Sequence, residues 1–120
     1  MRSLSFAVAG TLVTLAASAA FSADIEHGKA VFQACAACHN DRPDALGPNL
    51  VGVMGRKAGS REDFRYSNAM QRAGFVWDEA NLRQYLANPQ AKVRGNRMPF
   101  SGLAEPKDID DVIAYLETLK

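Results

Sequence analysis

The sequence is poor in the groups that cross-link a small protein. It has two cysteines among 120 residues, and they stand only three positions apart. A disulfide joining distant parts of the chain is therefore excluded. No stretch alternates apolar and polar residues with period two over any length, which argues against a sheet-built domain. No internal repeat is present, so a solenoid is excluded as well. Neither sign of charge dominates: 14 lysines and arginines face 13 acids, a formal net charge of +1. No nucleic-acid partner is expected of such a chain. One long apolar run exists, from Leu4 to Ala20, and it lies at the short limit of what spans a bilayer.

That run has the order of a secretory leader. Met1-Arg2-Ser3 supplies a basic start, the apolar stretch follows, and small residues lead to the first acid, Asp24. Residues 1–23 are read as a signal peptide cleaved after Ala20, Ser22 or Ala23, the alternative being an uncleaved anchor. No stable membrane insertion is expected after cleavage. Residues 24–120 then form a single domain. A mature chain of roughly 97–100 residues is small for a self-sufficient apolar core. A large packed cofactor would make up the deficit.

Helical periodicity accounts for most of the mature chain. Asp24 suits an N-cap, with Glu26 in the first turn, and the helix runs toward Cys35. A short helix is expected over Ser67–Arg72. A better one begins at Trp77, with Leu82, Tyr85 and Leu86 on one face, and ends at Asn88-Pro89. Residues 91–103 read as irregular loop. The last helix starts at Pro106, with Asp108 in its first turn and Ile109, Val112, Ile113, Leu116 and Leu119 on one apolar face. Asn40–Asn49 holds two prolines, and Gly52, Gly55 and Gly59 interrupt the segment that follows. The fold class is all-α, about four or five helices with long loops. Loops of that length need something to wrap.

Cys35-Ala36-Ala37-Cys38-His39 is the signature of c-type haem attachment. Two intervening residues bring both thiols to one side of a turn, where each can add to one vinyl group, and the next residue, His39, lies under the iron. A thioredoxin-like pair would need a βαβ setting, which is not visible. A zinc site would need Cys35, Cys38, His39 and His27 around one ion, and adjacent Cys38 and His39 would struggle to reach it. A local disulfide is the plainest alternative.

If His39 is one axial ligand, Met54, Met70, Met98 and His27 are the choices for the other. A methionine opposite histidine raises the reduction potential. Met98 lies in the Gly95-Asn96-Arg97-Met98-Pro99-Phe100 loop, far enough along the chain to return across the haem. Core packing is the ordinary expectation for Met54 and Met70. His27, upstream on the first helix, is expected on the surface.

Taken together, these segments resemble class I cytochrome c over essentially the whole mature chain. Gly28 and Phe32 look like the first-helix pair that packs on the last helix, through Tyr115 and Leu116. Gly47-Pro48-Asn49-Leu50, Gly52-Val53-Met54-Gly55-Arg56, Tyr85 and Met98 with Phe100 continue the pattern, without a gap from Leu50 to Met98. The resemblance implies a small cytochrome c fold around one haem, covalent through Cys35 and Cys38, with His39 and Met98 on the iron. It implies that the Pro48 carbonyl accepts from the His39 ring, that Arg56, Tyr66 and Trp77 surround a propionate, and that Tyr85 approaches Met98. It also implies attachment outside the bacterial cytoplasm, hence a periplasmic protein. Three departures stand out: a short loop between His39 and Gly47, Met70 where relatives often carry asparagine, and Arg94 where many have proline.

The expected function is electron carriage by a monomer, not catalysis. The expected partners are redox proteins: a quinol-oxidising complex, a terminal oxidase or a periplasmic dehydrogenase. From Ala80 to Ala104 the chain has Arg83, Lys92, Arg94 and Arg97 and no acid, whereas Glu105 to Lys120 has five acids and two lysines. The basic set is the candidate for steering an acidic partner. A subunit dedicated to one dehydrogenase would share the same haem site. A gas sensor would need an open iron position.

Overall fold

The computed structural model describes residues 2–13 and 22–120. Residues 2–13 have no regular secondary structure and leave Leu4, Phe6 and Val8 exposed. Most of the exit from the apolar run, including Ala20, lies outside the described residues. Among the described residues there are five helices: α1 (Ile25–Ala36), α2 (Asn68–Gln71), α3 (Glu79–Ala87), α4 (Pro89–Lys92) and α5 (Pro106–Glu117). None of them is long and apolar enough to cross a membrane.

The first and last helices cross at Gly28. A Cβ on that residue would lie 1.9 Å from the Asp111 carbonyl oxygen and 3.0 Å from Tyr115 Cβ. Only a glycine permits this approach. One turn on, Phe32 meets Tyr115 with ring centroids 5.1 Å apart. The crossing is also closed by a buried carboxylate. Asp111 accepts from the Asp24 N–H (2.8 Å), from His27 Nδ1 (2.7 Å) and from Lys107 Nζ (2.7 Å). Its side chain is 1% exposed, so these donors replace the water it gave up. His27 is therefore not a free surface residue. It is half-buried, and its ring is committed to Asp111. The hydrophobic pattern of α5 foretells the apolar partners but not this acid, which sits among Ile109, Val112 and Ile113 in the buried face.

Leu82 and Leu86 of α3 pack with Ile109, Val112, Ile113 and Leu116 of α5 in one core. Each such side chain contributes roughly 1.5–3 kcal/mol on burial. Arg83 joins the same two helices by pairing with Asp110 and, at 2.9 Å, with Glu79. It is thus neutralised within the fold and drops out of the expected steering set. Lys92 is also restrained, donating to Asn81 Oδ1 (2.8 Å) and Gln84 Oε1 (2.6 Å).

Two expectations for the middle of the chain need correction. Trp77 is not in a helix, because the Asp78 side chain caps the Asn81 N–H and starts α3 at Glu79. Trp77 instead pairs with the glycine-rich segment, donating its N–H to the Arg56 carbonyl (2.8 Å) and accepting from the Gly55 N–H (2.9 Å). Asn88-Pro89 ends α3 as expected, but it also begins α4. Asn88 Oδ1 accepts from the Ala91 N–H, and Pro89 takes the first helical position.

Gly28→Ala is expected to lower the unfolding free energy by about 1–3 kcal/mol, as overpacking does, measured by denaturant titration. The donors around Asp111, Lys107 foremost, pull its pKa down from 3.8 to about 2. A carboxylate depressed in this way stabilises the fold above its unfolded pKa, and that stability disappears as pH falls toward the folded value. Asp111→Asn should therefore unfold more readily than the parent at pH 6. The gap between the two should narrow between about pH 4 and pH 2.

Candidate haem-binding site

The packing of α1 on α5 delivers the end of α1 to the centre of the molecule. Cys35 lies in its last turn, and the chain then tightens, with the Cys38 and His39 N–H groups both donating to the Cys35 carbonyl (3.1 and 2.8 Å). No disulfide joins the two cysteines, and both face one cavity of about 450 Å³. That volume falls in the range of roughly 300–1,000 Å³ found for cofactor sites. Apolar side chains of four parts of the chain line it, including Phe32, Leu50, Leu82 and Leu116. Burial pushes the Cys35 thiol pKa up, and the neighbouring Cys38 adds to the shift.

His39 is held from two sides. Its Nδ1 lies 2.7 Å from the Pro48 carbonyl oxygen, so Nδ1–H donates and the Nε2 lone pair is left free. A Cβ at Gly47 would stand 2.6 Å from ring Cε1 and 2.7 Å from Nδ1, so no larger residue fits behind the ring. Burial lowers the His39 pKa, partly opposed by the Pro48 bond, which favours the neutral imidazole a metal needs.

Met98 lines the same cavity. Tyr85 donates its hydroxyl to Met98 Sδ at 3.3 Å. Burial raises the Tyr85 pKa to about 12, so the donor keeps its proton throughout the physiological range. The loop carrying Met98 is fastened by a residue that sequence reasoning missed. Asn96 is 7% exposed. Its Nδ2 donates to the Pro89 and Val93 carbonyls (3.0 and 2.9 Å), and its Oδ1 accepts from the Met98 N–H (2.9 Å). Gln90 completes the clamp, donating to the Asn96 carbonyl at 2.8 Å and accepting from the Gly95 N–H at 3.1 Å. The only signal in the sequence was an asparagine two residues before a candidate ligand. Nothing local shows it to be buried.

Arg56, Tyr66 and Trp77 come together on the cavity wall. The backbone pairing described above sets Arg56 beside Trp77, and Trp77 in turn meets Tyr85 edge-on at 4.9 Å. Arg56 donates to the carbonyls of Val51 and Asn49, both at 3.1 Å. Burial lowers its pKa. No carboxylate among the described residues pairs with it, so a half-buried cation faces the cavity without a counter-charge from the chain. Met70 is buried on the same wall and Met54 packs beside the core.

A haem fits this donor set. Its apolar plane suits the aliphatic lining, its vinyl groups the two thiols, and its carboxylates the Arg56 side. His27 is absent from the cavity lining, because Asp111 holds it at the helix crossing.

Asn96→Ala is expected to lower stability by about 1–3 kcal/mol, since it orphans the Met98 N–H and takes one of two hydrogen bonds from each of the Pro89 and Val93 carbonyls, which keep their backbone donors. Amide exchange at Met98 should accelerate in the same variant, read by hydrogen–deuterium exchange.

The comparisons agree with this geometry. The cytochrome c family model matches residues 25–120. Cytochrome c2 from Rhodomicrobium vannielii is 45% identical over 121 residues, covering 98% of this chain and 97% of its own. Cytochrome c2 from Rhodoblastus acidophilus is 46% identical over 100 residues, covering 81% and 94%. Among solved structures, cytochrome cH from Methylobacterium extorquens superposes with a TM-score of 0.76 at 45% identity, covering 79% of this chain and 98% of that one. The cofactor is one haem c, bound covalently through Cys35 and Cys38. With its helical fold, its attachment motif and a match over all of residues 25–120, the chain belongs to the cytochrome c family.

Proposed function

We propose that this mono-haem electron carrier works in the periplasm between diffusing redox partners, and that His39 and Met98 are the two residues that would bind the haem iron. The observation that supports it best is the closed ligand set. Both side chains face one cavity, and each is held by the chain itself, His39 by Pro48 and Met98 by Tyr85. When bound, the haem supplies an iron that alternates between ferrous and ferric states.

The residues around it do three things. Pro48 and Gly47 orient His39, so the ligand need not move when the charge changes. Tyr85 and the Asn96 clamp hold the thioether in place. The aliphatic lining excludes water, which keeps the reorganisation on electron transfer small. No acid or base is needed, since no substrate is held at the iron.

Electron exit is assigned to the side of Ala36, Ala37 and the Met98 loop, next to the cysteines and Met98 that line the cavity. With Arg83 neutralised and Lys92 restrained, Arg94 and Arg97 are the steering charges; both are exposed. They suit an acidic surface on a quinol-oxidising complex, a terminal oxidase or a periplasmic dehydrogenase. Residues before Asp24 act as a leader removed on export. The alignment with the Rhodomicrobium protein, which takes in 98% of this chain, supports a segment of that kind.

The reduced holoprotein is expected to show a low-spin spectrum unchanged by carbon monoxide, together with the weak absorption of methionine–iron bonding in the oxidised form. Met98→Ala should remove that absorption and bind carbon monoxide. Carbon monoxide binding by the parent would overturn the ligand assignment. In a second test, Arg94→Glu with Arg97→Glu should slow reduction by an acidic partner at low ionic strength by roughly tenfold or more, and the difference should vanish at high salt. An unchanged rate and salt slope would remove these residues from the docking face.

A further inference from the structure

A second concavity, of about 570 Å³, lies beside the haem cavity, where α2 and the segment before it meet the Met98 loop. Four arginines line it: Arg65, Arg72, Arg94 and Arg97. They come from two segments far apart in sequence, and all four are exposed. Among the described residues none of them forms an ion pair, whereas Arg42, Arg61 and Arg83 all do. No carboxylate lines the groove. Glu62 and Asp63, in the preceding loop, lie outside it, and Asp63 is held by Arg61 at 2.6 and 2.7 Å.

Bringing four guanidinium groups together without a counter-charge costs electrostatic energy that an ordinary surface avoids. One contact braces the arrangement. Arg97 Nη2 donates to the Arg65 carbonyl at 3.0 Å, tying the two walls and leaving the other N–H groups of Arg97 available. Guanidinium forks match the oxygens of phosphate in paired hydrogen bonds. Ala69 and Gly95 are the small residues between the arginines, and they keep the groove open. No aliphatic side chain larger than Ala69 lines the concavity, and Tyr66 is the one aromatic on its wall. Its shape and charge suit a compact polyanion better than the flat face of a protein.

We infer that this arginine groove is a binding site for a small soluble polyanion of the oligophosphate class, separate from the haem. Arg65, Tyr66, Ser67 and Arg97 line both concavities, so the bound anion sits next to the haem cavity wall. Negative charge placed there favours ferric over ferrous iron and lowers the potential. The same anion covers Arg94 and Arg97, so it also competes with an acidic redox partner.

The test uses the ferrous holoprotein and tripolyphosphate, followed by amide chemical shifts at physiological ionic strength. Saturable shifts confined to residues 65–72 and 94–97 are expected. Arg72→Gln and Arg94→Gln should each weaken binding by roughly tenfold, the loss of one charge-assisted contact. Arg42→Gln, remote from the groove and paired with Asp44, should leave binding unchanged. The midpoint potential should fall as the parent saturates, and Arg72→Gln should need roughly tenfold more tripolyphosphate for the same fall. Shifts spread over all basic residues, or equal affinity in Arg72→Gln, would overturn the site. So would binding to anionic phospholipid vesicles without binding to tripolyphosphate. Because the titration needs no redox partner, its failure would leave the electron-carrier reading standing, and the reverse holds as well.

Discussion

The contact between Gly28 and the Asp111 carbonyl governs how close α1 can come to α5, and through that the position of the whole attachment motif. With no side chain on Gly28 the two backbones touch, and the Phe32 and Tyr115 rings meet at a tilt one turn further on. The close approach buries the Asp111 carboxylate, which is tolerable only because the start of α1 brings its own donors, the Asp24 N–H and His27. One end of α1 is thereby fixed on α5 by steric fit and by charge. Its other end, with Cys35, Cys38 and His39, is aimed into the interior. The length and rigidity of one helix translate a surface contact into the placement of a ligand.

The other side of the cavity is built without long helices. Gly52, Gly55 and Gly59 adopt left-handed backbone conformations, and the turns they allow bring Arg56 to Trp77. Trp77 meets Tyr85, and Tyr85 reaches Met98. Each link is a contact between residues at least eight positions apart. The Asn96 clamp closes the chain of contacts by binding the Met98 loop to α4. Loop residues thus reach a precision usually associated with helices, because buried hydrogen bonds without water to compete are worth keeping.

Much of this was legible in the sequence. The cap at Asp24, the short helix after Ser67, the start at Pro106 and the apolar face of α5 follow local rules, and the structure has each of them. The attachment motif is readable because its three residues are neighbours in the chain. Other features were hidden for a physical reason. Asp78 was placed inside the helix and Asn88 was read only as its end, although their side-chain caps move the start of α3 past Trp77 and create α4. His27 looked like a surface residue because its partner lies 84 positions away. Arg83 looked like a steering charge because Asp110 lies in another helix.

By itself the sequence determined the class of helices, the cysteine–histidine motif and, through spacing, the resemblance to a family. Those signals depend on residues a few positions apart or on a pattern along one chain direction. Only the tertiary structure decided which charges are free and which are consumed. Arg83 and Asp111 are paired inside the fold, Arg56 faces the cavity unpaired, and Arg65 and Arg72 join Arg94 and Arg97 in one groove. The electrostatics of a site depend on distance through space, and the order of residues along the chain does not encode that distance until the chain has folded.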